Sequence, residues 1–153
     1  MQTKIVSPLT VVYSRQELSI REVGEASASI LARIQDEVDR AGIKPSGSWI
    51  FIHHDLPKNG SEKHMVEFCL PVDLPDGLVA LGFPTRTLPE FPCAYVHYQG
   101  AMRSFFTKGV QPLVKGMLAA GLSISSESRE IYHRWVGPNS PENGIEIQFG
   151  TTR

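Results

Sequence analysis

Near the end of the chain, two glutamates each stand two residues from another hydrogen-bonding side chain. They are Glu130 with Tyr132 and Glu146 with Gln148. A carboxylate held beside a phenol or an amide can bind a cation, or it can act as a base and take a proton from water. Aromatic and imidazole residues recur at strand spacing elsewhere: Trp49, Phe51 and His53 in one run, Tyr95 and His97 in another. Ring faces are negative and attract cations, and a buried carboxylate adds a full charge, so a lipophilic cation is the complementary ligand. Burial raises such a carboxylate's pKa unless a partner charge compensates. The candidate ligand contacts are therefore Glu130, Tyr132, Glu146, Trp49, Phe51, His53, Tyr95, His97 and Gln148. If a substrate is turned over, Glu130 or Glu146 is the general base, and Tyr132 or His133 the proton donor.

The elements that position these groups follow from pattern. Ser128–Trp135 and Ile145–Phe149 read as strands joined by a Gly-, Pro- and Asn-rich connection. Side chains alternate between faces. Ile145, Ile147 and Phe149 therefore share one face and Glu146 and Gln148 the other, while Glu130 and Tyr132 lie together, opposite Ile131. If the isoleucines face the helices, the other face collects all four polar groups, with Glu67 and Cys69 following by the same alternation. The plainer reading pairs Glu130 and Glu146 with Arg129, Arg134 or Arg103 on a solvated sheet. His53 and His54 point to opposite faces, so with His64 they predict no zinc site. Cys69 and Cys93 read as small buried residues. No nucleophile elbow or phosphate loop is present, and no cofactor is expected.

Upstream, Val11–Tyr13 reads as a strand and Ala26–Arg40 as a helix, with Ile30, Leu31, Ile34 and Val38 on its inner stripe and Gly42 in the place of a terminating glycine. Trp49–His54 and Met65–Val72 read as strands. Leu74–Pro92 is proline-rich and predicts a linker with a short strand at Leu78–Gly82. Cys93–Tyr98 is a strand and Phe105–Ala119 a helix buried along Phe106, Val110, Leu113 and Met117, with Pro112 predicting a kink or a late start.

The second half repeats the first at an offset of 79 residues: Ala41-Gly42 becomes Ala120-Gly121, His54 becomes His133, and Glu67 becomes Glu146. The fold class is α+β. Two pseudo-symmetric strand–helix–strand–strand repeats, about 9–72 and 92–150 with a linker at about 73–91, form an antiparallel sheet with two helices on one face, within a single domain 1–153. The uncovered face, between the halves, is the expected groove.

The totals bound the rest. With 153 residues, 41% hydrophobic and 20% charged, the chain is a globular domain. A net charge of −1 and pI near 6.5, with no helix-turn-helix pattern, predict no direct DNA binding. Two cysteines and no long apolar run predict no disulfide framework, no membrane span and a cytoplasmic location.

The run FPCAYVHYQGAMRSFFTKGVQPLVKGMLAAGL, followed by SREIYHRW and GIEIQF, resembles the GyrI-like effector-binding domain, which also forms the C-terminus of AraC- and MerR-type multidrug-responsive regulators. The resemblance covers nearly the whole chain. Its most specific pieces are Tyr98-x-Gly100, Glu130-x-Tyr132 and Glu146-Ile147. It implies a pseudo-symmetric eight-stranded sheet with two helices enclosing an acidic, aromatic pocket, with Glu130 as the pocket glutamate and Tyr132 beside it. The chain departs from the family in Gln148-Phe149-Gly150, where many members carry Ile-Pro-Val, and in Trp49 and His53, where tyrosine is commoner. The resemblance further implies a stand-alone protein that senses or sequesters lipophilic, aromatic, cationic compounds. Its alternatives are a hydrolase of reactive cyclopropane-type electrophiles using a pocket glutamate, and a gyrase- or other protein-interaction module; a homodimer stays open. Haem-binding relatives share the fold, yet no residue pattern here singles out an axial ligand.

Overall fold

A computed structural model describes residues 1–75 and 80–152. In chain order the elements are β1 (Gln2–Val6), β2 (Leu9–Leu18), α1 (Ile20–Arg40), β3 (Lys44–Pro45), β4 (Ile50–His54), β5 (His64–Asp73), β6 (Thr85–Leu88), β7 (Phe91–Gln99), α2 (Gln111–Ala119), β8 (Ser123–Arg134) and β9 (Gly144–Thr152). A 3-10 turn at Met102–Ser104 and a π-helical turn at Phe106–Val110 precede α2. The fold is α+β. Contacts divide the chain into two compact units, Pro8–Pro89 and Met1–Ser7 with Glu90–Arg153. These are called below the repeat-one and repeat-two units.

In the repeat-one unit the strands run in the order β4-β5-β2-β6, all antiparallel, and β3 also pairs with β5. In the repeat-two unit the order is β1-β7-β9-β8, again antiparallel. The edge strand of this unit is β1, which pairs with β7 and which the sequence pattern did not announce. Gln2, Thr3 and Lys4 are polar because β1 is an edge, and polar, charged edges are how sheets avoid further pairing. The strand expected at Leu78–Gly82 lies partly outside the described residues; residues 80–82 form none, and the pairing strand is β6 instead.

The helix α1 starts at Ile20 rather than Ala26. Ser19 and Glu22 supply its N-terminus as a capping box, with the Glu22 carboxylate accepting the Ser19 N–H at 3.0 Å. Both helices end alike. Gly42 (φ 70°) and Gly121 (φ 72°) adopt the left-handed turn, and Ile43 and Leu122 donate back to the carbonyls of Val38 and Met117. In the second helical segment Pro112 sits in the first turn of α2, where its missing N–H costs nothing, and the preceding residues widen into the π turn. That widening turns Phe106 outward, 58% exposed, against the expected inner stripe; Val110, Leu113 and Met117 keep their predicted burial. They pack with Ala94, Tyr98, Ile145, Ile147 and Phe149, with Tyr132 and Phe105 at the margin.

The Tyr98-x-Gly100 piece has a local cause. The Tyr98 hydroxyl donates to the Ala101 carbonyl at 2.5 Å, and a Cβ on Gly100 would stand 2.6 Å from that oxygen. Gly100 also has φ 153° and donates its N–H to the Asn143 carbonyl. Asn143, fully buried, spans the β8–β9 connection through its side-chain bonds to Val136, Gly137 and Ser140. Gly100→Ala is expected to destabilise the chain by about 2 kcal/mol in urea denaturation, from backbone strain plus overlap. In a Tyr98→Phe background the same change is expected to cost less, because the overlapping oxygen is gone.

Candidate functional site

Cross-strand register decides which side chains meet. In the repeat-two unit Ile145, Ile147 and Phe149 of β9 pack beneath α2. Tyr132 stands opposite Ile145, and Glu130 opposite Ile147. Residues directly opposite share a face, so Glu130 and Tyr132 lie on the helix-covered face. Glu146 and Gln148 lie on the other, opposite Ile131 and Arg129 on one side and His97 and Tyr95 on the other. The expected single lining therefore splits. Alternation within each strand was legible, but the register between β8 and β9, with an irregularity between Tyr132 and Arg134, reverses the expected place of Ile131.

On the helix-covered face, the Tyr132 hydroxyl donates to Glu130 Oε1 at 2.6 Å, both residues being half-buried. Burial first, then the adjacent Glu130 charge and this hydrogen bond, push the phenol well above its usual range. It stays a donor at neutral pH. Trp135, at 49% exposure, meets Tyr132 edge to face with ring centroids 5.8 Å apart. This is an acid and two rings on one side of the sheet, one ring open to solvent.

On the opposite face, Glu146 is almost wholly buried. Lys4 of β1 donates to its Oε2 at 2.7 Å, as does the Gln148 amide at 2.6 Å. The Lys4 ammonium lies 4.1 Å from the centroid of the Tyr95 ring. His97 and His133 approach Oε1 at 3.8 and 3.6 Å. Burial alone would raise the Glu146 pKa, but the hydrogen bonds from Lys4 and Gln148, and the charges of Lys4 and His97, outweigh it and hold the carboxyl below its usual range. Arg129, which sequence offered as a partner for the candidate glutamates, is buried, donates to Glu127 at 2.7 Å and stacks 3.9 Å from the Phe91 ring centroid. Burial pushes the Cys93 thiol up to about 11, Lys4 opposing and Glu146 assisting, so it behaves as a small apolar residue.

The repeat-one unit carries a matching cluster. Glu67, fully buried, receives Arg86 at 2.8 Å, His54 at 2.5 Å and Arg15 at 3.6 Å, and the Arg86 guanidinium lies 5.3 Å from the Tyr13 ring. Each unit thus has a middle-strand glutamate, a cation delivered from the edge strand across a tyrosine ring, and a histidine from the outer strand. Sequence reasoning missed Lys4, Arg86, Tyr13 and Tyr95's role as a ring beneath a cation. The signal was there but shifted: Tyr13 and Tyr95 are 82 residues apart, not 79. On the other face of β4 and β5, Phe51 meets Phe68 edge to face at 4.8 Å, and His53 Nδ1 and His64 Nε2 share a hydrogen bond of 2.8 Å. Trp49 lies half-buried just before β4.

Among the described residues no group of three or more His, Cys, Asp or Glu is placed to hold a metal ion, and no helix is long and apolar enough to cross a membrane. A recess of about 270 Å³, lined by Thr3, Lys4, Ile5, Pro92, Cys93, Leu122 and Thr151, contains none of the expected ligand contacts.

No family model matches the sequence, and no curated protein matches it either. Solved structures do. The EcmrR C-terminal domain superposes with a TM-score of 0.80 at 20% identity, covering 99% of this chain and 96% of that one. EcmrR in its DNA complex gives 0.78 at 20% identity, where the chain spans 56% of the regulator's length. SAV2435 bound to tetraphenylphosphonium gives 0.62 at 15% identity, covering 99% and 93%. The fold is the one that the EcmrR C-terminal domain and SAV2435 share, an antiparallel sheet with two helices as the resemblance implied.

The Glu146 cluster makes a pH prediction. A carboxyl with a lowered folded pKa adds stability above its unfolded value, near 4.3, and loses it as pH falls through the folded pKa. Glu146→Gln and Lys4→Met are each expected to cost about 1 kcal/mol at pH 7, to be non-additive together, and to converge on the wild type in thermal denaturation once pH falls below the lowered folded pKa of Glu146.

Proposed function

We propose that the chain binds lipophilic aromatic cations through Glu130, Tyr132 and Trp135. The observation that carries this is the half-buried Glu130 carboxylate, anchored by the Tyr132 hydroxyl at 2.6 Å beside the exposed Trp135 ring. A carboxylate partly withdrawn from water attracts a weakly hydrated organic cation more strongly than a sodium ion, which keeps its own water. Tyr132 holds the carboxylate in one geometry, so less order is lost when the ligand arrives. The rings supply apolar area and negative faces. That SAV2435, of the same fold, is bound to tetraphenylphosphonium supports the choice of ligand class. The Glu146 and Glu67 carboxylates are held within their own clusters by Lys4 and Arg86. The biological role that fits is a sensor or sequestering protein for such compounds.

The test is titration with tetraphenylphosphonium and with neutral triphenylphosphine oxide, followed by tryptophan fluorescence. Glu130→Gln is expected to weaken the phosphonium about tenfold or more, equivalent to about 1.4 kcal/mol, and to leave the oxide unchanged. Equal phosphonium affinity in the variant and the wild type would overturn the reading.

A further inference from the structure

The second face of the repeat-two unit already contains a cation in an acid-and-ring box. Its walls are the Glu146 carboxylate, the Tyr95 ring and the Gln148 amide, and its occupant is the ammonium of Lys4. We infer that this box is a second ligand site, selective for primary alkylammonium ions, for which Lys4 is the tethered ligand.

Three observations support it. The first is geometry. An ammonium has three donors, and here one meets a carboxylate oxygen at 2.7 Å while the charge sits 4.1 Å from a ring centroid. A contact that short excludes a quaternary ammonium, whose methyl groups keep the nitrogen farther from the oxygen. The second is an acceptor that Lys4 does not use. Gln148 is 3% exposed, its amide nitrogen touches the same carboxylate oxygen as Lys4, and its Oε1 has no hydrogen-bond partner among the described residues. An ammonium free of the β1 backbone can take up that acceptor. The third is how Lys4 is held. Its side chain is 36% exposed, so it can swing into solvent with the β1–β7 pairing intact.

The matching box in the repeat-one unit shows what a closed version looks like. There the edge strand supplies Arg86, whose planar guanidinium fits a carboxylate better than an ammonium does. A second arginine, Arg15, approaches the other oxygen, and the Glu67 side chain has no exposure at all. In the repeat-two unit Lys4 stands for Arg86 and His97 for Arg15. The same device is therefore built in a form that a competing amine can enter. This site shares no residue with the Glu130 reading and can fail or stand without it.

A tethered competitor acts at about millimolar effective concentration, so the site is tested with the tether cut. Lys4→Ala is expected to melt about 2–4 °C below the wild type. n-Butylammonium chloride at tens of millimolar, on the order of ten times that effective concentration, is expected to restore most of the loss. Tetramethylammonium chloride or sodium chloride at equal ionic strength is expected to restore none. The Tyr95 ring signals in NMR are expected to shift with butylammonium only, and the response is expected to vanish in Lys4→Ala/Glu146→Gln. Equal recovery with all three salts, no recovery with butylammonium, or no Tyr95 shift overturns the inference. If Lys4→Ala proves too unstable to purify, Lys4→Gln carries the same comparison, with the same outcomes.

Discussion

The register between β8 and β9 is the constraint from which the rest follows. Strand side chains repeat every two residues, so a pairing shifted by one would exchange every group on β8 between faces. With Glu130 opposite Ile147 and Tyr132 opposite Ile145, one acid shares the face of the α2 core and the other does not. Two glutamates of the same strand pair thereby acquire different surroundings. Glu146 receives Lys4, Gln148 and two imidazoles; Glu130 receives a phenol beside an exposed indole.

The duplicated ion clusters explain how a sheet tolerates acids at its centre. A carboxylate withdrawn from water is costly without a partner charge. In both units the charge comes from the edge strand, reaches across a tyrosine ring, and is joined by a histidine from the opposite outer strand. Tyrosine suits this position because its ring face accepts the passing cation while its body covers the cation's stem. These clusters also fasten edge strands. Lys4 ties β1 to the middle of its sheet, and Arg86 does the same for β6, adding a side-chain tether to ladders of only four or five residues.

Much of this was legible in the sequence. Helix stripes at Ile30, Ile34 and Val38, the paired glycines Gly42 and Gly121, and the repeat of Glu67 in Glu146 carry strong local signals. Each depends on a local pattern or on internal repetition, not on a distant partner. What escaped depends on partners far along the chain or on local departures from a regular period. The strand Gln2–Val6 has too little apolar content to announce itself, because an edge needs none. The helix start at Ile20 rests on Ser19 before it and Glu22 in its first turn, a reciprocal pair of polar groups. The outward turn of Phe106 follows from the π turn before Pro112, which no fixed period anticipates. Most consequential was Ile131, whose apolar side chain suggested the core face although its register places it with Glu146. The resemblance named Glu130 and Tyr132, and the parity within β8 kept them together; only their neighbours changed.

On the proposed reading a bulky aromatic cation is recognised on the Glu130 face and not on the Glu146 face. Intermolecular NOEs between such a cation and the isotope-labelled chain test it most directly. Contacts are expected from the ligand's aromatic protons to the rings of Tyr132 and Trp135, and none to Tyr95 or His97. Contacts to Tyr95 and His97, with Tyr132 and Trp135 silent, would contradict it.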